Sequence, residues 1–188
     1  MQTKDWTITD MAAEILRNEG GFVDNPDDRG GPTNHGISLR FAVQHPKLFD
    51  LNKDGVVDKA DIISLTPEIA KRAYVLFFYR FENVQDVLDD IGAPEFAGNI
   101  VMQMFDFAVT SGPSQAIKCL QRSVNTPDDG ELGPNTLNSL KIACEMFSIP
   151  LVNNNLTDER IKFYEALGQP QFLDGWKKRA NKYRMEVP

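Results

Sequence analysis

Proline and glycine divide the 188-residue chain into helix-length segments, and this punctuation constrains the fold more than any other feature of the sequence. Proline is tolerated at the first position of a helix, and glycine commonly follows the last one. Thr66-Pro67 therefore predicts a helix that runs to about Tyr79, and Pro94 predicts another that Gly112 ends. The remaining predicted elements are a first helix capped by Thr7 or Thr9 and ended by Gly20-Gly21, turns and short strands over 22–37, a short helix from Ser38 to His45, two helices over 113–125 and 134–147, one from Thr157 to about Leu167, and a short C-terminal helix. The sequence predicts one mainly α domain.

Composition places the chain among globular proteins and excludes several function classes. Apolar residues make up 41% of the chain and charged residues 25%, which is enough for a hydrophobic core. No run approaches the roughly 18 apolar residues that span a bilayer, so we expect no stable membrane insertion. The net charge of −7 disfavours nucleic-acid binding. The basic segment 176–184 is interpreted as a solvated helix rather than a contact with a polyanionic surface.

The cysteine and histidine content disfavours metal-dependent and nucleophilic catalysis. Cys119 and Cys144 are the two cysteines, and with His35 and His45 they do not make a zinc-binding pattern. Neither the HExxH motif of zinc peptidases nor the GxSxG motif of serine hydrolases occurs. Cys119 lies in an amphipathic pattern and is expected to be a buried thiol rather than a nucleophile. Whether the two cysteines pair is left open.

A glutamate at the end of the first predicted helix is the first candidate catalytic residue. Glu19 follows Ile15 by one helical turn, so it continues the apolar face of that helix. It also lies at the C-terminal end, where the helix dipole disfavours a negative charge. Both conditions favour the protonated carboxyl group, which is the form that donates a proton in general acid catalysis. The alternative is a side chain that reaches solvent past Gly20-Gly21.

The loop that follows is rich in carboxylates and hydroxyls. Glycoside hydrolysis uses two such groups, of which one protonates the leaving oxygen and the other stabilises the oxocarbenium-like state or activates water. Asp24, Asp27 and Asp28 are candidates for the second carboxylate, and Thr33 and Ser38 supply hydroxyls. For each aspartate taken alone, an Asx turn that only shapes the loop is the favoured alternative.

Three groups of residues together carry a resemblance to a known family. They are Glu19-Gly20-Gly21-Phe22, Asp28, Gly30-Gly31, Thr33-Asn34 and Gly36-Ile37-Ser38 in the first group, Phe105-Asp106, Gly112, Leu120-Gln121 and the run from Asp129 to Thr136 in the second, and Arg160, Tyr164, Gly175-Trp176 and Arg179 in the third. In these positions the chain resembles glycoside hydrolase family 108. That family consists of lysozyme-like N-acetylmuramidases found in phage endolysins and in bacterial proteins labelled secretion activators.

The resemblance implies a lysozyme-like helical fold with a small loop and β-hairpin region after the first helix. Residues 1–112 would form the catalytic part and residues 113–188 a peptidoglycan-binding-like part, packed together as one globular unit. Glu19 matches the family's catalytic glutamate, the general acid. Asp28 and Thr33 match the loop carboxylate, which would stabilise positive charge or activate water, and the hydroxyl that would hold the water. The departures from the family's usual pattern are Phe22 in place of Tyr, Arg29 in place of Pro, and the order Asp24-Asn25.

The implied activity is hydrolysis of the β-1,4 bond between N-acetylmuramic acid and N-acetylglucosamine in peptidoglycan glycan strands, with no cofactor in catalysis. The N-terminus lacks the basic and apolar regions of a signal peptide, so we expect synthesis in the bacterial cytoplasm. We also expect a monomer. A separate holin-like protein would then release it to the periplasmic cell wall, as for an endolysin. Two other functions stay open, a non-catalytic peptidoglycan-binding or secretion-accessory protein and a calcium-dependent interaction module.

Residues 50–61 match the spacing of an EF-hand calcium loop, which lies outside the family's minimal signature. Gly55 occupies the position of the sharp turn, and the last ligand position holds Asp rather than Glu, as in dockerin-type loops. The predicted ligands are Asp50, Asn52, Asp54, the Val56 carbonyl, Asp58 and Asp61. We interpret the segment as an insertion with a structural calcium ion, and the alternative is a turn rich in Asp and Asn.

Four further residues are predicted to contact or support the substrate. Asn34 and His35 follow Thr33 in the loop, although a loop histidine is more often incidental. Tyr79 lies in a dense aromatic segment whose other members are expected to be core residues. Asp106 lies inside an apolar helix, where a carboxylate must be either paired or functional.

Overall fold

Eleven helices and one two-stranded hairpin make up the part of the chain that the computed structural model describes, residues 7–25 and 30–187 apart from the side chains of residues 94–98. The elements are α1 Ile8–Asn18, β1 Thr33–Asn34, β2 Ile37–Ser38, α2 Leu39–Val43, α3 Pro46–Phe49, α4 Lys59–Ile63, α5 Pro67–Phe78, α6 Glu82–Asp90, α7 Pro94–Ser111, α8 Pro113–Ser123, α9 Pro134–Met146, α10 Ile149–Ala166 and α11 Pro170–Asn181. The prediction of a mainly α fold with a small hairpin after the first helix is confirmed.

Residues 7–78 form the first of two compact units. Helix α1 packs on α5, and its buried face carries Met11, Ala12 and Ile15. Thr7 begins this helix with a capping box, in which its hydroxyl accepts the N–H of Asp10 and the Asp10 carboxylate accepts the N–H of Thr7. The hairpin contacts α2 through β2 and α4 through β1.

Residues 79–187 form the second unit, whose central element is α7. This helix packs against α6, α8 and α10, and its side chains from Ile100 to Ala108 are nearly all buried. Helix α10 also contacts α9 and α11. The functional division that the sequence analysis places after residue 112 stays a prediction, since packing alone does not assign activities to segments.

The proline and glycine signals located four helix starts correctly. Helices α5, α7, α8 and α9 each begin at a proline, and α7 ends immediately before Gly112, as predicted. The prediction for α10 was wrong in its start, because the helix begins at Ile149 and not at Thr157. Helices α3, α4 and α6 were not predicted. No helix among the described residues is long and apolar enough to cross a membrane.

Candidate active site

Glu19 is the residue that ends α1. Its backbone leaves the helical conformation, with φ −88° and ψ 145°, and its N–H donates to the Leu16 carbonyl at 3.1 Å. Its side chain is partly buried. The sequence therefore placed this carboxyl group correctly at the C-terminal end of a helix.

The hairpin that faces Glu19 turns through two residues. His35 has φ 48° and Gly36 has φ 71°, so both lie in the left-handed region, as a two-residue turn of type I′ requires. For a residue with a Cβ such as His35, this conformation costs about 1–2 kcal/mol. The hydroxyl of Tyr74 in α5 donates to the His35 carbonyl at 2.5 Å and holds the turn in this shape.

Gly36 brings Glu19 and Tyr74 to the same place. A Cβ built on Gly36 would lie 3.0 Å from Oε2 of Glu19 and 2.6 Å from the Tyr74 hydroxyl oxygen. No side chain other than hydrogen fits at this position, so glycine is required for the contact as well as for the positive φ. The Glu19 carboxyl group lies directly against the turn of the hairpin.

Thr33 anchors the hairpin to the chain that leaves α1. Its N–H and carbonyl both bond to the backbone of Val23 at 2.8 Å, and its hydroxyl donates to the Gly31 carbonyl at 3.1 Å. The predicted role of Thr33 in holding water stays a prediction. Asp28, predicted as the second catalytic carboxylate, lies outside the described residues.

Asn34 connects the hairpin to α4. The residue is 6% exposed, and its side-chain amide donates to the carbonyl of Ile62 at 2.9 Å and more weakly to that of Ile63 at 3.5 Å. These carbonyls belong to the last turn of α4, and that of Ile62 also accepts the Leu65 N–H at 3.3 Å. The amide nitrogen of Asn34 is therefore committed to the fold, and a contact with substrate stays a prediction.

Residues 50–61, the predicted calcium loop, are shaped by side-chain oxygens that accept backbone N–H groups. Lys53 and Gly55 turn the chain, with φ 60° and 90°. The acceptors are Asp50 for the N–H groups of Asp54 and Gly55, Asn52 for that of Asp54, Asp54 for that of Val56, and Asp58 for that of Ala60. Among the described residues, no three His, Cys, Asp or Glu side chains form a group that could hold a metal ion, and calcium binding stays a prediction.

Asp61 closes this loop from inside. It is 2% exposed, and one of its oxygens accepts the N–H of Leu51 at 2.8 Å while the other accepts that of Asp58 at 2.9 Å. Burial opposes ionisation of the carboxyl group, but these N–H donors outweigh it and hold the pKa of Asp61 below its usual range.

Tyr79 and Asp106 belong to the second unit, and both are buried. Tyr79 packs edge-on against the rings of Phe81 and Phe105. Burial, together with the charges of nearby acidic residues, raises the pKa of Tyr79 to about 12. The predicted contacts of Tyr79 and Asp106 with substrate stay predictions.

Asp106 is paired, which is one of the two possibilities that its sequence position left open. Nη2 of Arg160 donates to Oδ2 at 2.5 Å, and Nη2 of Arg179 donates to Oδ1 at 2.7 Å. Burial opposes ionisation of this carboxyl group, but the two guanidinium groups hold the pKa of Asp106 below its usual range. Both arginines appear in the sequence motifs, but spacing alone does not indicate that they share one aspartate.

The contact between Tyr74 and the hairpin was not predicted, because Tyr74 belongs to the aromatic segment whose members were expected to be core residues. The ring is fully buried, as expected, but the hydroxyl reaches the hairpin turn 39 residues earlier. No local signal marks such a contact. The dipeptide His35-Gly36 between short segments was the signal available for the hairpin itself.

Comparisons with known proteins found a matching family and a similar solved structure. The family model for glycosyl hydrolase 108 matches residues 12–112, which include Glu19 and the hairpin. The solved structure of SagA from Brucella abortus is 29% identical in sequence, with a TM-score of 0.70, over 94% of this chain and 91% of that one. A search among curated proteins found no match.

The fold and the matched segment first define a class, a mainly α glycoside hydrolase with a glutamate that ends its first helix beside a hairpin. The family match extends over more than half of the sequence. The chain belongs to glycosyl hydrolase family 108.

Proposed function

We propose that this protein is a peptidoglycan hydrolase that cleaves the β-1,4 bond between N-acetylmuramic acid and N-acetylglucosamine, with Glu19 as the general acid. The observation that carries the proposal is the position of Glu19, at the end of α1 and against the turn at Gly36. Membership of a glycoside hydrolase family supports the reaction class. The resemblance in the segment from Glu19 to Ser38 supports the substrate.

The reaction needs a proton at the glycosidic oxygen as the bond to the anomeric carbon breaks. Glu19 would supply this proton, and water would add to the anomeric carbon and return a proton to a carboxylate of the site. Asp28 is our candidate for the group that stabilises positive charge or activates water, and Thr33 for the group that holds the water. Asn34, His35, Tyr79 and Asp106 are candidates for contacting or supporting the sugar chain.

The proposed setting is the periplasmic cell wall. A monomer made in the bacterial cytoplasm would reach the wall with a separate holin-like release protein, as an endolysin does. The alternative is a non-catalytic peptidoglycan-binding or secretion-accessory protein with the same fold, and the following experiment distinguishes the two.

Glu19→Gln keeps the shape of the side chain and removes the acid. Loss of a general acid lowers the rate by about 10²–10⁴-fold, so the variant should release almost no new reducing ends from purified peptidoglycan. Glu14→Gln is the matched control, because it makes the same change on the same helix in a residue that pairs with Arg17. It should retain the activity of the unmodified protein.

Permeabilised Gram-negative cells provide a second readout, the loss of turbidity. Lysis with new reducing ends that disappears in Glu19→Gln supports the hydrolase. A folded, calcium-loaded protein that binds peptidoglycan without releasing reducing ends would contradict it and favour the binding protein. Equal rates for Glu19→Gln and the unmodified protein would remove Glu19 from the mechanism.

The calcium prediction for residues 50–61 is a separate proposal, with a structural role. The ligand spacing and the turn at Gly55 support it. Calcium at 100 times its Kd should add about 2.7 kcal/mol to the free energy of unfolding. Calorimetry on chelator-treated protein should show binding that Asp54→Asn weakens and Asp90→Asn, a change on α6, does not. No heat of binding and an unchanged melting temperature would contradict the proposal.

A further inference from the structure

We propose that Tyr74 is a positioning residue for Glu19 and acts through the hairpin turn at His35-Gly36. The inference rests on the proposed function, because it assigns a residue to the site in which Glu19 is the acid. Tyr74 fixes the surface against which the Glu19 side chain lies.

The first step is the bond between Tyr74 and the turn. Tyr74 is fully buried in α5, and its hydroxyl donates to the His35 carbonyl at 2.5 Å. The ring also meets Phe78 edge-on, which limits its movement. A hydroxyl on a buried ring is a fixed point, so the carbonyl that it bonds is fixed as well.

The second step is the contact between the turn and Glu19. Oε2 and Cγ of Glu19 lie 3.0 and 3.1 Å from the point where a Cβ of Gly36 would be, and the Tyr74 oxygen lies 2.6 Å from the same point. The glutamate and the tyrosine therefore lie against one face of one glycine. Any shift of the turn changes the space available to the Glu19 carboxyl group.

Two packed helices and the hairpin carry the Glu19 carboxyl group, the Tyr74 hydroxyl and the turn at Gly36. Helix α1 ends at the glutamate, α5 carries the tyrosine, and these two helices pack on each other within the first unit. The hairpin turn is the irregular member of the set, with two consecutive residues in the left-handed region. A catalytic group must be held within about 0.5 Å of its productive position, and the Tyr74 bond supplies this restraint to the turn.

Tyr74→Phe is the first test, because it removes the hydroxyl and keeps the buried ring. Misplacement of a catalytic group by about 1 Å costs up to about 100-fold in rate, so we expect kcat to fall about 10- to 100-fold. KM should change less than kcat, because Tyr74 itself is not among the residues that we propose to contact the sugar chain. Loss of stability alone would instead lower the amount of folded protein and leave kcat per folded molecule unchanged.

Gly36→Ala is the second test, with Gly92→Ala as its matched control. The two glycines have φ 71° and 72°, so an added Cβ brings the same backbone strain at both. At Gly92 the Cβ meets nothing within 4 Å, whereas at Gly36 it meets Tyr74 and Glu19. Gly36→Ala should therefore lose activity that Gly92→Ala retains.

The double variant Gly36→Ala/Tyr74→Phe tests the coupling between the two positions. Phe lacks the oxygen that lies 2.6 Å from the new Cβ, so the combined loss of kcat should be smaller than the product of the single losses. Unchanged kcat in Tyr74→Phe, or losses that multiply, would overturn the positioning role.

The two proposals fail in different ways. An inactive unmodified protein, or an active Glu19→Gln variant, would overturn the proposed function and this inference with it. A protein that needs Glu19 but turns over at the normal kcat in Tyr74→Phe would overturn the positioning role alone. Melting temperatures of all variants establish that each measurement reports folded protein.

Discussion

The two units satisfy their buried polar side chains in different ways. In residues 7–78, the buried polar side chains bond to backbone groups. Asn34 donates to carbonyls of α4, and Tyr74 donates to the His35 carbonyl in the hairpin turn. Asp61 accepts N–H groups of the loop formed by residues 50–61. Each of these bonds fixes the path of an irregular segment.

In residues 79–187, buried polar side chains bond mainly to one another and join helices. Asp106 of α7 pairs with Arg160 of α10 and Arg179 of α11. Gln103 of α7 donates to Asn153 and accepts the hydroxyl of Thr157, both on α10. These bonds fix how long helices pack, since each helix already satisfies most of its own backbone groups.

The difference indicates which parts of each unit have to be held in a fixed position. The first unit holds a loop, a hairpin and a helix end in place around Glu19, and its bonds from side chains to the backbone fix these irregular segments. The second unit aligns helices that carry a large apolar core. The largest single effects on stability are therefore expected in the second unit, and effects on activity with modest losses of stability in the first.

Asp106→Asn should cause the largest loss in the free energy of unfolding. It leaves two arginines without their carboxylate partner, one of them fully buried, and removal of one member of a buried ion pair costs about 3–5 kcal/mol. Among the described residues, Nη1 of Arg160 already lacks a hydrogen-bond partner, so the substitution removes acceptor capacity from a guanidinium group that is already short of it. Denaturant unfolding measures the loss, with Asp158→Asn, which disrupts an exposed pair with Arg184, as the control.

The pH dependence of this loss has a definite sign. The pKa of Asp106 is lowered in the folded protein, so its contribution to stability is complete above the unfolded value of about 3.9. That contribution disappears as the pH falls through the lower, folded pKa. The difference between the unmodified protein and Asp106→Asn should shrink on acidification, and a difference that grows would contradict the pairing.

Asn34→Ala should destabilise the protein less, because it removes one donor from the end of α4 and buries no unpaired charge, and the Ile62 carbonyl keeps the Leu65 N–H. Loss of a hydrogen bond of this kind costs about 0.5–1.5 kcal/mol. Asn181→Ala, on the exposed surface of α11, should change stability by less than about 0.5 kcal/mol. Unchanged stability in Asn34→Ala, with a raised KM, would instead assign Asn34 to the substrate and remove it from the comparison.

The comparison also explains which features the sequence could predict. Helix starts at Pro67, Pro94 and Pro134 follow from local chemistry and were predicted correctly. The start of α10 was missed because residues 153–155 are all asparagine, which disfavours helix interiors. In the structure the side chains of Asn153 and Asn154 donate to the carbonyls of Tyr183 and Met185, so long-range bonds override the local preference.

The candidate site also contains features that the sequence could predict and features that it could not. The location of Glu19 at a helix end follows from apolar spacing and the glycines after it. The contact of Gly36 with Tyr74 joins residues far apart in the chain, and no periodicity or motif encodes such a distance. The pairing of Asp106 could be stated only as one of two possibilities, because its arginine partners lie 54 and 73 positions later.

The family match ends at residue 112, and this position limits which segments could be exchanged between related proteins. The match stops where α7 stops, but α7 packs on α8 and α10, which lie beyond it. Phe107 is buried, and its ring packs edge-on against Phe163 and Tyr164 of α10. A segment that begins at residue 113 therefore cannot be exchanged between relatives as an independent cassette. The buried surface of that segment has to be exchanged together with α7, the last helix of the matched segment.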